Sequence, residues 1–408
     1  MRRTVFLVDM NAFFISCETT RRPELRGVPA AVAGDPQRRS GIVLAANYEA
    51  RAFGVKTTMP LWQAERLCPK LIFVPPDHAF YSRMSRSVME LLGRYTPVLE
   101  QNSIDEAWLD MTGGSLLFGE PAACARRIMN EIGQSLGLWC SIGIAPGKFL
   151  AKMASEIKKP LGITELWEED IPAKLWPLPV DAFYGVGEQT AARLRRMGMR
   201  TIGDMAAYGA VLPQTLGKYG ALLYDLARGV DPEPVTPRVR DAMKSIGRST
   251  TLPQDITDFA SARRVLMGLA EEVGADARRH GKQGSTVTVT IKYADFSVVT
   301  RQAPLPATCL TRDLIAAGAE LLRKNWTGRP VRLLGISLSG FEKAESGQLS
   351  LFEPPERDTR ERQLEQAVDT LRERFGEDAV RRAALLPPSG AEGRPVDLGA
   401  KKPPNTSK

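Results

Sequence analysis

The first 160 residues alternate between short apolar runs and amphipathic stretches, and this order limits the folds that the chain can adopt. Residues 4–9 (TVFLVD) form an apolar run that ends in an acid, which is typical of a short buried strand. Residues 78–95 carry apolar side chains at helical spacing, and Asp77 is positioned to cap that helix. Strand patterns that alternate with helical ones predict a layered α/β domain.

Two further strand-like runs, 97–102 and 107–112, stand on either side of the sequence SIDE at 103–106. This arrangement predicts a hairpin that carries two adjacent acids. The alternation then continues, and the elements expected next are a helix at 120–136, a strand at 140–145 and a helix at 147–157.

A second folded unit is predicted after a region of short helices. Residues 167–233 read as helices broken by glycines, and the proline-containing segment 234–243 reads as a linker. Residues 244–341 give the order β-α-β-β-α-β, which predicts a sheet packed against two helices. The expected elements of this unit are strands at 244–250, 287–293, 296–304 and 330–340, and helices at 259–280 and 311–324.

The composition of the chain excludes several kinds of site. A net charge of +8 at pH 7 favours a polyanionic partner. The five cysteines form no CxxC pair, which argues against zinc centres and a disulfide framework and predicts buried thiols. The two histidines lie far apart, so a histidine-centred catalytic triad is poorly supported. No apolar run approaches 18 residues, and Asp9 interrupts the first one too early for a signal peptide, so we expect a cytoplasmic protein.

Three acids stand where a metal site could form. Asp9 ends the first strand, and Asp105 and Glu106 lie at the junction of the two later strands. Hard cations such as Mg²⁺ prefer carboxylate and phosphate oxygens. Adjacent residues of a regular strand point to opposite faces, so the pair can share a metal only if a turn or bulge redirects one side chain. Taken alone, two neighbouring acids are more often solvated turn residues.

Four longer segments give these acids a context. They are VDMNAFF (8–14), AANYEARAFGVKTTMP (45–60), NSIDEAWLD (102–110) and SIGIAPGKFLAKMASEIKKP (141–160). In this order and spacing, over about residues 1–341, the chain resembles the Y-family DNA polymerases, in particular the DinB or polymerase IV group. One departure is Gly147, where many relatives carry asparagine; we expect it to loosen the start of the following helix.

The resemblance implies a right-hand polymerase of mixed α/β and α+β architecture. Its expected parts are a palm (1–10 and 78–166), small fingers (11–77), a helical thumb with a helix-hairpin-helix (167–233), a linker (234–243), a β-α-β-β-α-β little finger (244–341) and a tail (342–408).

The resemblance also implies the catalytic centre. Asp9, Asp105 and Glu106 match the catalytic metal ligands, and the backbone carbonyl of Met10 matches a further ligand. Two Mg²⁺ ions about 4 Å apart can hold both the attacking and the leaving oxygen of a phosphoryl transfer. The cofactor expected from the resemblance is therefore a pair of Mg²⁺ ions in each active site.

The nucleotide-binding residues implied by the resemblance surround those acids. Phe14 matches the aromatic gate whose ring leaves no room for a 2′-hydroxyl, and Phe13 is its neighbour. Tyr48 and Arg51 match a triphosphate clamp, and their spacing of three places them on one face of a helical turn. Lys159 matches a third phosphate contact. Arginine supplies several rigid donors to phosphate oxygens, so the assignment is chemically reasonable.

The expected macromolecular partners are primer-template DNA and a sliding clamp. Gly185 and Gly187 precede a helix, where exposed backbone N–H groups can accept a DNA phosphate, and Arg248 is expected to contact DNA as well. The peptide QLSLF at 348–352 resembles a bacterial clamp-binding motif with anchors Gln348, Leu351 and Phe352. The anchors of such a peptide would be buried on docking.

The remainder of the tail has two expected parts. Residues 357–386 are highly charged and read as a helix, which could pack on the body of the protein or bind another partner. Residues 387–408 are rich in proline, glycine and lysine, and we expect them to be disordered.

The function that the resemblance implies is low-fidelity translesion DNA synthesis by a monomer that uses dNTPs and lacks a proofreading exonuclease. Two alternatives stay open at this point. One is a catalytically inactive relative that binds the clamp and DNA, and the intact Asp9, Asp105 and Glu106 argue against it. The other is a nucleotide cyclase with the same palm topology, for which the clamp-like peptide would have no use.

Overall fold

The structure is a computed structural model that describes residues 2–35, 41–209, 211–237, 243–341, 355–376 and 378–385, with the side chains of the last helix described from residue 359 onward. By its internal contacts the chain divides into two compact units, Met1–Val239 and Arg240–Lys408. The division falls inside the segment 234–243 that the sequence assigned to a linker.

The first unit opens with a strand that belongs to its main sheet, followed by a small subdomain. The elements are β1 (Val5–Met10), α1 (Phe13–Arg21), β2 (Ala30–Ala33), β3 (Val43–Ala46), α2 (Tyr48–Ala52), α3 (Leu61–Leu67) and β4 (Ile72–Val74). Strands β3, β2 and β4 form a three-stranded sheet in that order, with β2 central. This subdomain lies in the region predicted as fingers, and its strands are only three or four residues long.

The main sheet of the first unit is completed by the next stretch of chain. Its elements are α4 (His78–Leu92), β5 (Leu99–Gln101), β6 (Glu106–Asp110), α5 (Ser115–Phe118), α6 (Pro121–Leu136), β7 (Cys140–Ala145), α7 (Lys148–Ile157) and β8 (Ile163–Glu165). The strand order is β5-β6-β1-β7-β8. The alternation of strands and helices read from the sequence is confirmed here, as is the cap on α4, because Asp77 accepts a hydrogen bond from the N–H of Phe80 at 3.0 Å.

The central strand β1 is buried on both faces, which explains its continuous apolar sequence. Phe6 and Val8 face a core shared with helices α4 and α6. Val5 and Leu7 face a second core that contains α7. Helix α7 lies directly against β7. The packing is so close that a Cβ atom added at Gly143 would stand 1.9 Å from the carbonyl oxygen of Ala151. The missing side chain therefore sets how closely α7 approaches the sheet.

Short helices follow the main sheet, as the glycine-interrupted sequence predicted. They include α8 (Glu188–Arg196), α9 (Ile202–Ala207) and α10 (Val211–Ala227), preceded by short 3-10 and π-helical turns. Gly185 lies in the left-handed region, with φ of 93°. Helix α10 is kinked at Gly217, whose φ of 62° and ψ of −143° are not helical. Helix α8 begins directly after Gly187.

The segment that follows α10 is not a free linker over its whole length. Val235 is buried, and the N–H of Thr236 donates to Glu100 of β5 at 2.9 Å. Glu100 and Glu233 both accept from the ammonium of Lys148, at 2.9 and 3.0 Å. The prediction of a linker beginning at 234 is therefore wrong for its first residues, which sequence composition could not reveal because their partners lie more than 80 residues away.

The same segment caps α7. Gly147 precedes this helix and has no side chain that could cap it, yet the N–H of Phe149 donates to the carboxylate of Asp231 at 2.8 Å. A Cβ atom at position 147 would stand 3.1 Å from the Asp231 side chain. The expectation that Gly147 loosens the helix start is therefore wrong, because a distant carboxylate satisfies the exposed N–H group and occupies the space beside the glycine.

The second unit is the predicted β-α-β-β-α-β fold. Its elements are β9 (Ser245–Ile256), α11 (Phe259–Arg279), β10 (Gly284–Tyr293), β11 (Val298–Thr308), α12 (Thr311–Asn325) and β12 (Val331–Ser339). The four strands pair in the antiparallel order β11-β10-β12-β9. Apolar side chains from one face of the sheet and from both helices form its core. The fold class predicted from the sequence is confirmed.

The tail contributes one more helix, α13 (Pro355–Phe375). The sequence predicted a helix over 357–386, and this is wrong at its end, because the chain leaves the helix at Gly376, whose φ is 98°. Glycine adopts this left-handed conformation without the cost that other residues carry, so it often ends helices. A 3-10 turn follows at Ala383–Leu385. The clamp-like peptide 348–352 and residues 387–408 lie outside the described residues.

Helix α13 packs on helices α11 and α12 of the second unit, which is the first of the two possibilities that the sequence left open. Carboxylates at every fourth position of α13 meet arginines in the pairs Arg312–Glu361, Arg278–Glu365, Arg278–Asp369 and Arg279–Glu373. Glu365 also accepts a hydrogen bond from the N–H of Thr311 at 3.1 Å. It thereby caps α12, which the apolar Leu310 at its own N-cap position cannot do.

Two expectations from composition can be compared with the structure. All five cysteines are buried free thiols, as the absence of a CxxC pair predicted. Within the described parts of the chain, the helices are too short or too polar for any of them to cross a lipid bilayer.

Candidate functional site

The three predicted acids meet at one end of the main sheet. Strand β1 pairs with β6 in antiparallel register, so Asp9 stands directly opposite Glu106. Asp105 comes just before β6, and its carbonyl accepts a hydrogen bond from the N–H of Met10 at 3.0 Å. The pairing of two strands that are about 100 residues apart in sequence therefore brings these side chains together.

The bend before β6 solves the problem of two adjacent acids on opposite strand faces. Asp105 lies in this bend, and its carboxylate accepts from the hydroxyl of Ser103 at 2.6 Å. Glu106 begins the strand, and its carboxylate accepts from the amide of Asn102 at 2.9 Å. Because Asp105 is outside the regular strand, both carboxylates reach the same pocket.

Helix α7 and the residues just after its end bring two lysines and a further acid to this cluster. The ammonium of Lys152 donates to Asp9 at 2.9 Å, to Glu106 at 2.6 Å and to Glu156 at 2.8 Å. Lys159 donates to Asp9 and to Glu156, both at 2.8 Å. The side chain of Lys152 is 9% exposed, so its charge is buried among carboxylates.

Sequence reasoning did not select Lys152 or Glu156. A signal was present, because residues 152, 156 and 159 recur at the spacing of one helical face and alternate in charge. The same spacing is common on solvated helices, however, and the structure is needed to show that this face of α7 points at β1.

The acids of the cluster differ in how readily they ionise. Burial raises the pKa of Asp105 and of Glu106, and the neighbouring Asp9 adds to the effect in both. Burial also opposes ionisation of Asp9, but the ammonium groups of Lys152 and Lys159 outweigh it and hold the pKa of Asp9 below its ordinary value. Two of the three predicted ligands thus have raised pKa values, which additional positive charge beside them would lower.

A pocket of about 280 Å³ opens beside these acids. Its lining includes all nine residues that the sequence assigned to metal or nucleotide binding, namely Asp9, Met10, Phe13, Phe14, Tyr48, Arg51, Asp105, Glu106 and Lys159. A larger depression of about 510 Å³ runs along α6 beside Arg127 and Glu131, and none of these nine residues lines it. The nine assignments therefore converge on one place in the first unit.

The far side of the pocket presents donors. Tyr48 and Arg51 lie on α2, and the guanidinium of Arg51 stands 4.9 Å from the centre of the Tyr48 ring. Arg51 uses its Nε on the carbonyl of Ala46 at 2.9 Å. The hydroxyl of Tyr48 is buried and has no hydrogen-bond partner among the described residues. A buried hydroxyl without a partner is costly, so the pocket is suited to a ligand that offers an acceptor.

The donor set fits hard divalent cations. Carboxylate oxygens of Asp9, Glu106 and Glu156 all lie within 4.8 Å of one another. Oxygen ligands of this kind suit Mg²⁺. The tight group contains Glu156, which the sequence did not propose as a ligand, while Asp105 stands beside the group and lines the same pocket. The ammonium of Lys152 occupies the space between these oxygens.

The remaining predicted site residues lie elsewhere. Gly185 and Gly187 precede α8 in the first unit, and a Cβ atom at either would meet no described atom within 4 Å, so the backbone there is accessible. Arg248 lies on β9 of the second unit, where it forms ion pairs with Asp276 and, at 3.3 Å, with Glu272. Gln348, Leu351 and Phe352 fall outside the described residues.

Comparison with protein families gives matches along most of the chain. Residues 8–156 match the impB/mucB/samB family, and residues 243–351 match the C-terminal domain of that family. Residues 182–231 match a family described as the thumb domain of DNA polymerase iota.

Individual relatives agree with these matches. DNA polymerase IV of Clostridium kluyveri is 53% identical over 95% of this chain and 99% of the relative. DNA polymerase IV of Alkaliphilus oremlandii is 52% identical over 95% of this chain and all of the relative. Among solved structures, a chimera of the Y-family DNA polymerases Dbh and Dpo4 matches with a TM-score of 0.74 and 29% identity, over 83% of this chain and 99% of the chimera.

Proposed function

Because this chain belongs to the impB/mucB/samB family of Y-family DNA polymerases and is a DNA-directed DNA polymerase, we propose that it performs low-fidelity translesion synthesis with two catalytic Mg²⁺ ions. The observation that carries the proposal is the convergence of Asp9, Asp105 and Glu106 on one pocket with Tyr48 and Arg51. The reaction adds a deoxynucleoside monophosphate to a primer 3′-OH and releases pyrophosphate.

The acids of the main sheet are the proposed metal ligands. When bound, two divalent cations would hold the attacking 3′-oxygen and the leaving oxygen of the triphosphate. Asp9, Asp105 and Glu106 supply carboxylates, and Met10 supplies its backbone carbonyl. The raised pKa values of Asp105 and Glu106 support the assignment, because both side chains gain from positive charge placed beside them.

Tyr48, Arg51 and Lys159 are the proposed triphosphate contacts. The hydroxyl of Tyr48 can donate to a phosphate oxygen, which would satisfy the one buried side-chain polar atom of the pocket wall that has no partner among the described residues. Arg51 keeps its two terminal nitrogens for the ligand, since it uses Nε on the backbone. Lys159 can exchange its bond to Asp9 for a phosphate when cations neutralise that acid.

Phe14 is the proposed sugar gate, and Phe13 packs beside it. The two rings lie 5.9 Å apart by their centroids, with Phe13 buried and Phe14 half-buried at the pocket wall. A rigid aromatic wall next to the sugar excludes a nucleotide with a 2′-hydroxyl by steric conflict, which favours deoxynucleotides.

Primer-template DNA is the proposed macromolecular substrate, with contacts at Gly185, Gly187 and Arg248. The accessible backbone before α8 supports a phosphate contact there. Arg248 would have to leave its ion pairs with α11 to reach DNA. We further propose that the peptide 348–352 binds a sliding clamp and that the protein works as a monomer in the cytoplasm.

The translesion role is proposed from the size of the fingers subdomain. Its sheet has three strands of three or four residues each, which is little structure to enclose a nascent base pair. A loosely enclosed pair would admit damaged templates and would lower fidelity. Primer extension over a panel of templates with defined lesions tests this role, and extension limited to undamaged templates would contradict it.

Primer extension on an undamaged template tests the catalytic proposal. The wild-type protein with Mg²⁺ and dNTPs should extend the primer, and Asp105→Ala should lose about a thousandfold or more in rate, as expected when a metal ligand is removed. Extension by Asp105→Ala at the wild-type rate would contradict the assignment. A wild-type protein that binds DNA but extends no primer would favour the inactive, clamp-binding relative.

A further inference from the structure

Glu18 is a buried carboxylate that the proposed mechanism does not use. It lies on α1, one helical turn after Phe14, and its side chain is fully buried. Its partners are specific, since Arg21 donates to both of its oxygens at 2.7 and 2.9 Å. Burying a carboxylate destabilises the folded state unless hydrogen-bonding or charged partners compensate for its lost solvation. A carboxylate that is buried with such partners usually serves to hold those partners in place.

Besides Arg21, Glu18 pairs with Arg22 at 3.7 Å and with a tyrosine that leads to the pocket. The hydroxyl of Tyr81 donates to Glu18 at 2.7 Å. The ring of Tyr81 stacks on Phe14, with centroids 4.5 Å apart and an angle of 15° between the planes. Tyr81 is fully buried, so its ring fills the space behind the ring of Phe14. Because Phe14 and Glu18 are one turn apart on α1, the single tyrosine of α4 reaches both of them.

A second contact fixes the two helices that carry these residues. Arg21 of α1 donates to Asp77 at 2.9 Å, and Asp77 caps α4 through the N–H of Phe80. The guanidinium of Arg21 also lies 4.3 Å from the centre of the Phe80 ring. Helix α1 is therefore tied to the first turn of α4, which carries Tyr81.

We propose that Glu18 is a positioning residue for sugar selection, which acts by holding the hydroxyl of Tyr81 and thereby the plane of the ring behind Phe14. The proposal rests on the proposed role of Phe14 as the sugar gate. A steric gate excludes a 2′-hydroxyl only if its ring cannot retreat. The space into which Phe14 would retreat is filled by Tyr81, and the bond to Glu18 prevents that ring from turning aside.

Two substitutions act on the bond between Glu18 and Tyr81 from its two ends. Tyr81→Phe keeps the stacked ring and removes the hydroxyl, so the bond is lost. Glu18→Gln keeps the side-chain shape and an acceptor oxygen but removes the charge, so the bond is weakened. In Tyr81→Phe, the ratio of kcat/KM for a dNTP to kcat/KM for the matching rNTP should fall about fivefold, the effect of losing one ordinary hydrogen bond, and in Glu18→Gln it should fall in the same direction by a smaller factor. The change should arise from faster ribonucleotide incorporation, with dNTP incorporation nearly unchanged.

A matched control is available in the same unit. Tyr95 also donates its hydroxyl to a glutamate, the half-buried Glu131, at 2.6 Å, and neither residue lines the pocket. Tyr95→Phe removes a bond of the same kind and should leave the sugar ratio unchanged. Equal melting temperatures for Tyr81→Phe and Tyr95→Phe would show that any difference in the ratio does not come from stability.

Phe14→Ala separates this proposal from the gate on which it rests. If Phe14 is the gate, Phe14→Ala should accept ribonucleotides, and adding Tyr81→Phe to it should change the ratio no further, because the ring to be held is absent. Unchanged sugar selection in Phe14→Ala would refute the gate itself. A gate confirmed by Phe14→Ala, with no change in Tyr81→Phe and Glu18→Gln, would refute the role of Glu18. Equal losses with dNTP and rNTP in those two variants would also refute it, since they would indicate a purely structural role.

Discussion

Two clusters of buried charge, one in each unit, look alike in their contacts and differ in their surroundings. In the first unit, the buried Lys152 is held by Asp9, Glu106 and Glu156. In the second, the buried Arg278 is held by two carboxylates of α13, and its side chain is 8% exposed, against 9% for Lys152. Burial and pairing of the cation therefore do not distinguish the two clusters.

The surroundings of each cluster show the difference. Arg278 also donates to the carbonyl of Cys309 at 3.0 Å, and its partner Glu365 caps α12, so backbone groups close that cluster. The cluster around Lys152 opens into a pocket and has a further acid, Asp105, whose pKa is raised by burial. A closed set of paired charges maintains a fold, whereas an open set with excess carboxylate can accept cations and a ligand.

The largest expected effect comes from removing the central cation of each cluster. Lys152→Met and Arg278→Met each leave buried carboxylates without their partner, and each should lower stability by about 3 kcal/mol. Added Mg²⁺ should restore the melting temperature of Lys152→Met, because cations that bind only the folded acids stabilise the folded state. Mg²⁺ should not restore Arg278→Met. Thermal melts of both variants with and without Mg²⁺ measure this, and equal recovery in both would remove the distinction between the clusters.

A smaller effect is expected from the carboxylates of α13. Glu365→Ala removes a partner of Arg278 and the cap of α12, and it should cost about 2 kcal/mol. Glu373→Ala, which removes an exposed ion pair at 3.7 Å to Arg279, should have almost no effect. Hydrogen exchange at the first turn of α12 is the measurement. Similar protection in the two variants would mean that α13 does not support the second unit.

The smallest effect concerns the cap of α7, the helix that carries Lys152. Asp231→Ala leaves the N–H of Phe149 without its acceptor, and it should cost about 1 kcal/mol, as other N-cap replacements do. Asp231→Asn keeps an acceptor oxygen and should recover most of this loss. The midpoint of thermal unfolding monitors both variants. No loss in Asp231→Ala would show that solvent caps α7 equally well.

Much of the fold could be predicted from local sequence. The strand β1 and the β-α-β-β-α-β order of the second unit follow from apolar periodicity, and the cap at Asp77 follows from its place before α4. The end of α13 could not be predicted from charge pattern. Gly376 was a possible stop, but a single glycine is also tolerated within helices, and the sequence alone does not give its φ angle.

The residues of the candidate site could be predicted where they belong to long, recognisable sequence segments. The prediction missed residues that contribute to the site only through tertiary contacts. Lys152 and Glu156 are ordinary helix charges by sequence, and only the close packing of α7 on β7 at Gly143 turns them toward Asp9. Asp231 was likewise read as part of the glycine-interrupted region at 167–233, since nothing local to it indicates that it caps a helix more than 80 residues earlier in the chain.

The most direct test of the account counts the divalent cations held by the three acids. Mn²⁺ can replace Mg²⁺ as a paramagnetic probe, and its binding can be titrated in the complex with primer-template DNA and a non-hydrolysable dNTP analogue. We expect two Mn²⁺ ions per wild-type protein, and a loss of at least one of them in Asp105→Asn and in Asp9→Asn. Wild-type stoichiometry and affinity in both variants would contradict the claim that these carboxylates hold the catalytic metals.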